Sequence, residues 1–513
     1  MDDVRRTVRR ALSADTRAEF DRRVAEQAAD LRAAISDGDF DSAGFAVGLE
    51  CECYGVDGEG QLTTLPDALF AASGRTREIG CHNVELNSPP QPFDDDGVAA
   101  HAAALRTAVA DLRADGDATD DACHVATDAM WTVPPAAGSH AYLGAVDRTD
   151  GVTIATNMRS KPRYCAIDNA LLEHAGGTIP LDVAGASHEF PTILVESLTT
   201  SIQPHLQIPS TAQFPRYFNA AIRTLGPVLA LATNSPFLPG DLYNAVDDPH
   251  RLVERTPHEL RVPVFESTVN SAGYEKAGCP QDIEAPTDIV DRVVDDWTCG
   301  PFLREWEDAD GDPHWEFRHK YGTYWRWVRS IIGGDASAGD APTDAAVDAA
   351  ADGALRIEYR PLPTQPTVAD ILGLHWLVVG LLRGIVAADH PLTELAWPDA
   401  HESFYNAVDD GLDAELHWVT ADGEATTDHD VIYDEVFDLA ERGLREQGLD
   451  AGDAVDRLAP IRARWEQETT PSQWKKDRVR EELNGGESLA DAIESMQRDY
   501  YELSRKRESF AEW

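Results

Sequence analysis

The chain has 513 residues, 91 of them acidic and 44 basic, for a formal net charge of −47, and 42% of its residues are hydrophobic. That hydrophobic share supports a sizeable core and excludes wholesale disorder, and the length suits two or three domains or one large mixed domain with additions. The acidity excludes nucleic acid and anionic membranes as partners, because a surface of this sign repels phosphate and offers no counterion release.

The basic residues are 38 arginines against six lysines, which together with the acidity is the composition of proteins from salt-accumulating halophiles. Concentrated cations screen the self-repulsion of such a surface. Thermal stability is therefore expected to rise steeply from dilute buffer to molar KCl, and a melting midpoint that stays flat over that range would refute the reading. The seven cysteines are an odd number with no Cys-x-x-Cys spacing, and they read as reduced thiols of a cytoplasmic protein, packed as small apolar groups. The start, Met1-Asp2-Asp3-Val4-Arg5-Arg6, lacks the apolar stretch of a signal peptide. The longest apolar run, Ile371 to Ala388, is short for a membrane span and contains His375 and Arg383. It reads as a buried helix.

In chain order, residues 1–43 form a helical extension of one or two exposed helices, closed by Asp37-Gly38-Asp39. The stretch from Gly44 to Tyr54 reads at period two as a strand, with Phe45, Val47, Leu49, Cys51 and Cys53 on one face and Gly48, Glu50 and Glu52 on the other. The two carboxylates stand about 7 Å apart along the strand. At an effective dielectric near 20 they repel by roughly 2 kcal/mol, a cost that water removes and a divalent cation reverses. A second strand, Cys81 to Asn87, carries Val84 and Leu86 behind and Asn83, Glu85 and Asn87 in front, and Ser88-Pro89-Pro90 stops it. A helix from Asp94 to Ala114 leads to a strand from Cys123 to Thr127.

The stretch from Ser201 to Ile208 alternates as well, presenting Gln203, His205 and Gln207 together, and Pro204 predicts an edge position or a bulge. A helix from Gln213 to Ala232 follows, kinked or split at Pro227 and ended by Asn234-Ser235-Pro236-Phe237. Trp325 and Trp327, in the aromatic-rich piece from His319 to Arg329, read as core or seam residues. The Ala/Asp/Gly tract from Gly333 to Gly353 reads as an exposed flexible insertion. Its replacement by a short Gly/Ser link is expected to keep activity within about threefold, roughly 0.7 kcal/mol on the barrier. Activity lost by orders of magnitude in a folded protein would instead place the tract in the site. The strand from Ala354 to Arg360 turns Leu355, Ile357 and Tyr359 inward and Arg356, Glu358 and Arg360 outward, and a buried helix from Val368 to Ala388 follows. The region 391–513 is mostly helical and charged, and its final helix runs from Glu487 to Glu508.

Four strands thus repeat one design, apolar behind and polar in front, and the fronts carry Glu50, Glu52, Glu85, His205, Glu358 and Arg360. A half-solvated antiparallel sheet gives this alternation without any site. Solvent does not explain the choice of Glu, Gln, Asn, His and Arg over Thr, Lys and Ser. Carboxylates with one imidazole suit Mg²⁺, which takes hard oxygen ligands and keeps positions open for phosphates. Arg360, two residues beyond Glu358, offers a planar fork to a phosphoryl group. No glycine-rich phosphate loop or dinucleotide fingerprint is present. His124, His140 and His188 read as surface or hydrogen-bonded core residues. Both a metal–nucleotide site and a solvated face remain open on these patterns.

Gly48-Leu49-Glu50-Cys51-Glu52 resembles the Gly-x-Glu-x-Glu strand of the glutamate–cysteine ligases, of the bacterial and archaeal family 2 type. Val84 to Pro90 is similar to that family's second Glu strand, Gln203 to Ile208 to its His strand, and Leu229 to Phe237 to its helix-terminating motif. His319 to Arg329, then Ile357-Glu358-Tyr359-Arg360 with Thr364-Gln365-Pro366-Thr367, and His401 to Leu416 with Asn406 and Gly411, resemble later segments in the right order. The match spans about 44 to 420 and points to a halophilic archaeal member. It departs at Cys51, where an acidic residue is usual, and at Pro363 or Thr364, where Asp is common.

The resemblance implies an α+β, glutamine-synthetase-like fold: a curved antiparallel sheet with helices on its convex face, holding ATP and Mg²⁺ on the concave one. It implies a catalytic domain over 44–390, with 391–513 packed on it. Glu50, Glu52, Glu85, His205 and Glu358 would be metal ligands, with Glu52, His205, Arg329 and Arg360 also toward the nucleotide. Glu50, Glu85, Glu358 and Arg360 would serve the chemistry. The activity would be ATP-dependent joining of the glutamate γ-carboxylate, as an acyl phosphate, to the amine of cysteine or another amine. Its partners would be these small molecules, with self-association left open. A same-fold ligase with a different amine, or a non-catalytic nucleotide-binding relative, are the alternatives. Glu→Gln changes at Glu50, Glu85 and Glu358 are expected to relieve repulsion and leave the metal-free fold as stable as before, or more so.

Overall fold

The computed structural model describes residues 2–119, 123–307, 312–333 and 354–513; the tract from 334 to 353, read above as an insertion, lies outside them. At the centre stands the strand Ala46–Val56 (β1). The strands Arg75–Arg77 (β2), Asn83–Asn87 (β3), Gln91–Pro92 (β4) and His124–Ala126 (β5) follow in sequence. Across the sheet the order is Val328–Ile332, Leu355–Tyr359, Ile202–Ile208, β1, β3, β2, while β4 and β5 also pair with β1. Every pair is antiparallel.

The alternation read from β1 holds: Val47, Leu49, Cys51 and Cys53 are all buried on the apolar side. Three helices cover the sheet with apolar side chains: Asp95–Asp117, Phe214–Ala232 and Val368–Ala388. The last is long and apolar enough to cross a membrane, but 78% of its most apolar stretch is buried inside the protein, which is the core helix expected from its sequence. The architecture is α+β with an open antiparallel sheet.

Three features differ from the sequence-based expectation. Pro204 lies in a central strand, between β1 and Leu355–Tyr359, and not at an edge. The ladder to the outer strand begins at His205 opposite Glu358, one residue past the proline, so the absent N–H interrupts no bond there. The helix Phe214–Ala232 runs unbroken through Pro227. Sixteen of its nineteen residues are buried, and that packing outweighs the roughly 3 kcal/mol cost of an interior proline. Beside it Gly226 lets another helix approach so closely that an added Cβ would lie 2.7 Å from the Ser403 backbone.

The N-terminal helices, Asp2–Ala11 (α1) and Ala14–Asp37 (α2), are not merely exposed additions. Phe20, Val24, Ala28, Leu31 and Ile35 form a buried stripe on α2, at the three-to-four spacing of an amphipathic helix. It packs on the helices Asp288–Asp295 and Trp315–Tyr321, and Gln27 Nε2 donates to the buried Glu316 at 2.7 Å. The largest apolar core runs from Val8 to Ile461.

The C-terminal helices Pro471–Gly485 and Leu489–Lys506 dock through a buried polar network. Lys475 Nζ donates to Asp128 Oδ1 at 2.6 Å and to the Asn234 carbonyl at 2.8 Å, and Gln497 Nε2 donates to Asp128 Oδ2 at 2.8 Å. Asn234 Nδ2 donates to the Tyr500 hydroxyl at 2.9 Å. The Asn-Ser-Pro-Phe stretch is therefore the joint between the helical end and the sheet.

Candidate active site

Register brings the polar fronts of the strands together. Glu52 pairs across β1 and β3 with Glu85, His205 lies opposite Glu358, and Glu358 lies opposite Arg329. Of the two readings left open, the solvated face is not what is found. The helices Pro162–His174 and Arg261–Val269, the turn Ile193–Leu198 and Trp325 contribute residues to a cleft over these side chains. Glu50, Glu85, His205, Arg329 and Glu358 are all buried, and Glu52 and Arg360 are half-buried.

Two groups of potential ligand atoms adjoin on this face. In the first, His205 Nε2 lies 3.3 Å from a Glu50 oxygen and 3.9 Å from a Glu358 oxygen. The second combines Glu52, Glu78 and Glu85, and in each group the ligand atoms lie within 4.8 Å of one another. Glu78 follows β2 in the loop toward β3.

The two groups differ in charge. Glu358 is clasped by Arg329, which donates from Nη2 at 2.9 Å and also from Nε, and by Arg360 Nη1 at 3.2 Å. Burial pushes the Glu358 carboxyl up, but Arg329, Arg360 and His205 overcome it and hold the group well below the usual carboxylate range. The second group has no such cation inside it. Burial, with Glu50 and Glu52 nearby, pushes Glu85 up to about 8. Burial, then Glu85 and Glu52, push Glu78 well above its ordinary value. Glu52 is also raised by burial, despite Arg261 and hydrogen bonds from Ser201 N at 2.7 Å and Ser201 Oγ at 3.2 Å.

Crowded, desolvated carboxylates of this kind fit a divalent cation, whose charge inverts the repulsion. The first group fits one too. Neither ring nitrogen of the buried His205 has a hydrogen-bond partner among the described residues, although two carboxylates stand beside it.

Every site residue expected from sequence lies in this one region: Glu50, Glu52, Glu85, His205, Arg329, Glu358 and Arg360. Three others were not foreseen. Glu78 lies in a loop where no period applies. Glu196 sits in the turn Ile193–Leu198, where burial and then Glu52 push it up to about 8; a lone acid inside Ile-Leu-Val-Glu-Ser-Leu was the available signal. Arg261 starts the helix Arg261–Val269 and donates to the carbonyls of Thr199, Pro361 and Arg360 at 3.1 to 3.2 Å. It thereby ties the roof of the cleft to the chain that carries Arg360. Two residues earlier, Glu259 accepts from Asn234 N at 2.9 Å, so the C-terminal network reaches the cleft.

Residues 46–497 match glutamate–cysteine ligase family 2 (GCS2). The chain belongs to that family. No curated protein matches it by sequence. Among solved structures, a bifunctional glutathione synthetase from Pasteurella multocida superposes with a TM-score of 0.50 at 14% identity, over 90% of this chain and 53% of that one. The family member described here therefore spans about half the length of that protein, and the likeness is one of fold. A glutamate–cysteine ligase from Francisella tularensis, solved in complex with AMP, gives a TM-score of 0.49 at 13% identity, over 91% of this chain and 90% of that one.

Proposed function

We propose that this chain is an ATP- and Mg²⁺-dependent carboxylate–amine ligase of the glutamate–cysteine ligase type. The observation that carries the proposal is the pair of adjoining ligand groups, Glu50–His205–Glu358 and Glu52–Glu78–Glu85, beside Arg329 and Arg360 in one roofed cleft. The γ-phosphoryl group of ATP would pass to a glutamate γ-carboxylate oxygen, with ADP leaving. The amine nitrogen would then bond to the acyl carbon while the carbon–oxygen bond to phosphate breaks. Phosphate carries off the electron pair, and the surplus amine proton goes to water.

Mg²⁺ held by the two groups would neutralise charge on the phosphoryl oxygens. The chain's own contribution is orientation and fixed positive charge. Arg360 Nη1 is steadied by Gln203 Oε1 at 2.6 Å, which leaves the rest of its fork to meet a transferring phosphoryl group. The apolar walls of Ile193, Phe265 and Trp325 exclude water, which would otherwise hydrolyse an acyl phosphate.

The test is phosphate release with Mg-ATP and glutamate, with and without cysteine, in molar KCl. Release that needs both amino acids is expected. Release that needs glutamate with a different amine would keep the ligase and change its second substrate. No release with any amino-acid pair would refute turnover.

A further inference from the structure

A buried carboxylate with no part in the chemistry above stands at the start of the helix Trp315–Tyr321. It is Glu316, which has no exposed surface. Gln27 Nε2 donates to its Oε2 and Arg23 Nη1 to its Oε1, each at 2.7 Å. Arg304 adds its backbone N at 3.3 Å from Oε1 and its Nε at 3.4 Å from Oε2. Burial pushes the Glu316 carboxyl up, but Gln27, Arg23 and Arg304 bring it below its ordinary value.

Gln27 and Arg23 stand four residues apart on one face of α2. Arg23 is shared with Glu19 and Glu305, whereas both polar atoms of the Gln27 amide serve the one helix. Its Oε1 accepts from Phe317 N at 2.8 Å, so a single amide grips a side chain and the adjacent backbone together. Phe20, also on α2, meets the His319 ring edge-on with centroids 5.5 Å apart.

The other end of this helix reaches the cleft. Tyr321 lies one turn beyond Phe317, and the two rings are nearly parallel with centroids 6.4 Å apart. The Arg329 guanidinium lies over the Tyr321 ring, 5.1 Å from its centroid, and Arg329 Nη1 donates to the Tyr321 carbonyl at 3.4 Å. The other two nitrogens of Arg329 donate to Glu358. Glu358 therefore holds one edge of the fork, and Tyr321 holds its face.

We propose that Gln27 is a positioning residue of the cleft: it fixes the helix Trp315–Tyr321, and through Tyr321 it sets the plane in which Arg329 meets the phosphates of a nucleotide. The assignment rests on the ligase reading for what Arg329 meets. Residues 1–45 precede the stretch that matches the family, so this support comes from a part of the chain outside that match. A planar fork bonds phosphate oxygens only when aligned with them. A small shift of the helix would tilt it and leave the Glu358 pair in place.

Gln27→Met keeps the length and apolar stem and removes both hydrogen bonds. It is expected to lower kcat by about tenfold and to raise the Kd for Mg-ATP about threefold or more, with the KM for glutamate and for the amine within about twofold. In an Arg329→Lys background the same change should cost less than about twofold in either quantity, because the residue it acts through is already altered. A role confined to folding would lower the melting midpoint and leave kcat of the folded protein where it was. Equal effects in both backgrounds, or unchanged kcat and Mg-ATP affinity in folded Gln27→Met, would overturn the assignment. Arg23→Gln loosens the same carboxylate from a less buried position, with an expected effect of about threefold. It decides the matter through the same cycle if Gln27→Met does not fold. Calorimetry of Mg-ATP in molar KCl on the unmutated protein, the two single variants and the double variant needs no turnover. Weakening by Gln27→Met that vanishes in Arg329→Lys supports the positioning role even if no amino-acid pair is ever joined. Ligation without that coupling overturns the positioning role alone, and absence of Mg-ATP binding by the unmutated protein overturns it together with the ligase reading.

Discussion

Changing Glu85 to Gln is expected to lower ATP-dependent ligation by at least about a hundredfold, near 2.7 kcal/mol of transition-state stabilisation, while the metal-free fold stays as stable or gains. Glu85 sits among carboxylates of one sign, desolvated, with Thr76 Oγ1 at 2.9 Å and Asn87 Nδ2 at 2.6 Å as its hydrogen-bond donors. A glutamine keeps the shape, cannot take up the charge a bound cation calls for, and removes the cost of keeping a carboxyl buried among Glu50 and Glu52. Glu358→Gln is expected to cost as much activity but to act on stability in the opposite sense. Its carboxylate holds Arg329 and Arg360 together, and breaking a buried pair by removing one partner costs about 3–5 kcal/mol. The sequence alone led to one expectation for both residues, and the ion pairs separate them. Phosphate release and chemical denaturation in EDTA and high KCl measure the two effects. Equal stability changes in the two variants would contradict the charge assignment, and wild-type rates in both would remove these residues from the mechanism.

The strand fronts were readable because the side-chain period of a strand is two. Once Val47, Leu49, Cys51 and Cys53 were placed at the back, Glu50 and Glu52 had to share the other face, and likewise Glu85, His205 and Glu358. Which strands are neighbours was not readable. That β1 lies between the His205 strand and the Glu85 strand depends on pairings far apart in the chain, and no local pattern encodes them. Glu78, Glu196 and Arg261 escaped for the same reason. They reach the cleft from a loop, a short turn and a helix start, where no period marks a face. Pro204 and Pro227 misled because proline rules describe local cost, whereas the ladder's starting point and a buried helix surface decided the outcome.

The metal-free protein is expected to lose stability as pH rises from about 6.5 to 8, a loss that Mg²⁺ should largely reverse. Glu85 titrates near 8 in the folded chain and near the ordinary glutamate value of about 4.3 when unfolded. Between those limits the folded state binds the extra proton, so the stabilisation is fully present below the unfolded value and fades as pH climbs through the folded one. At about 1.4 kcal/mol per pH unit, this group alone carries on the order of 2 kcal/mol across the window. Glu196, also pushed up to about 8 by burial, acts in the same direction. The net charge adds general repulsion of the same sign, and molar KCl screens that part while leaving the buried carboxylates exposed to one another. Below about pH 6.5 the histidines oppose this slope, because burial holds His82 and His101 down to about 4, and their protonation favours the unfolded chain as pH falls from about 6.5 toward 4. Denaturation midpoints in EDTA at a series of pH values measure the slope, and Glu85→Gln should flatten it above about pH 6.5. An alkaline slope that is unchanged in Glu85→Gln would show that this carboxylate keeps its ordinary acidity and that the Glu52–Glu78–Glu85 group is solvated, which would take away its case for holding a cation.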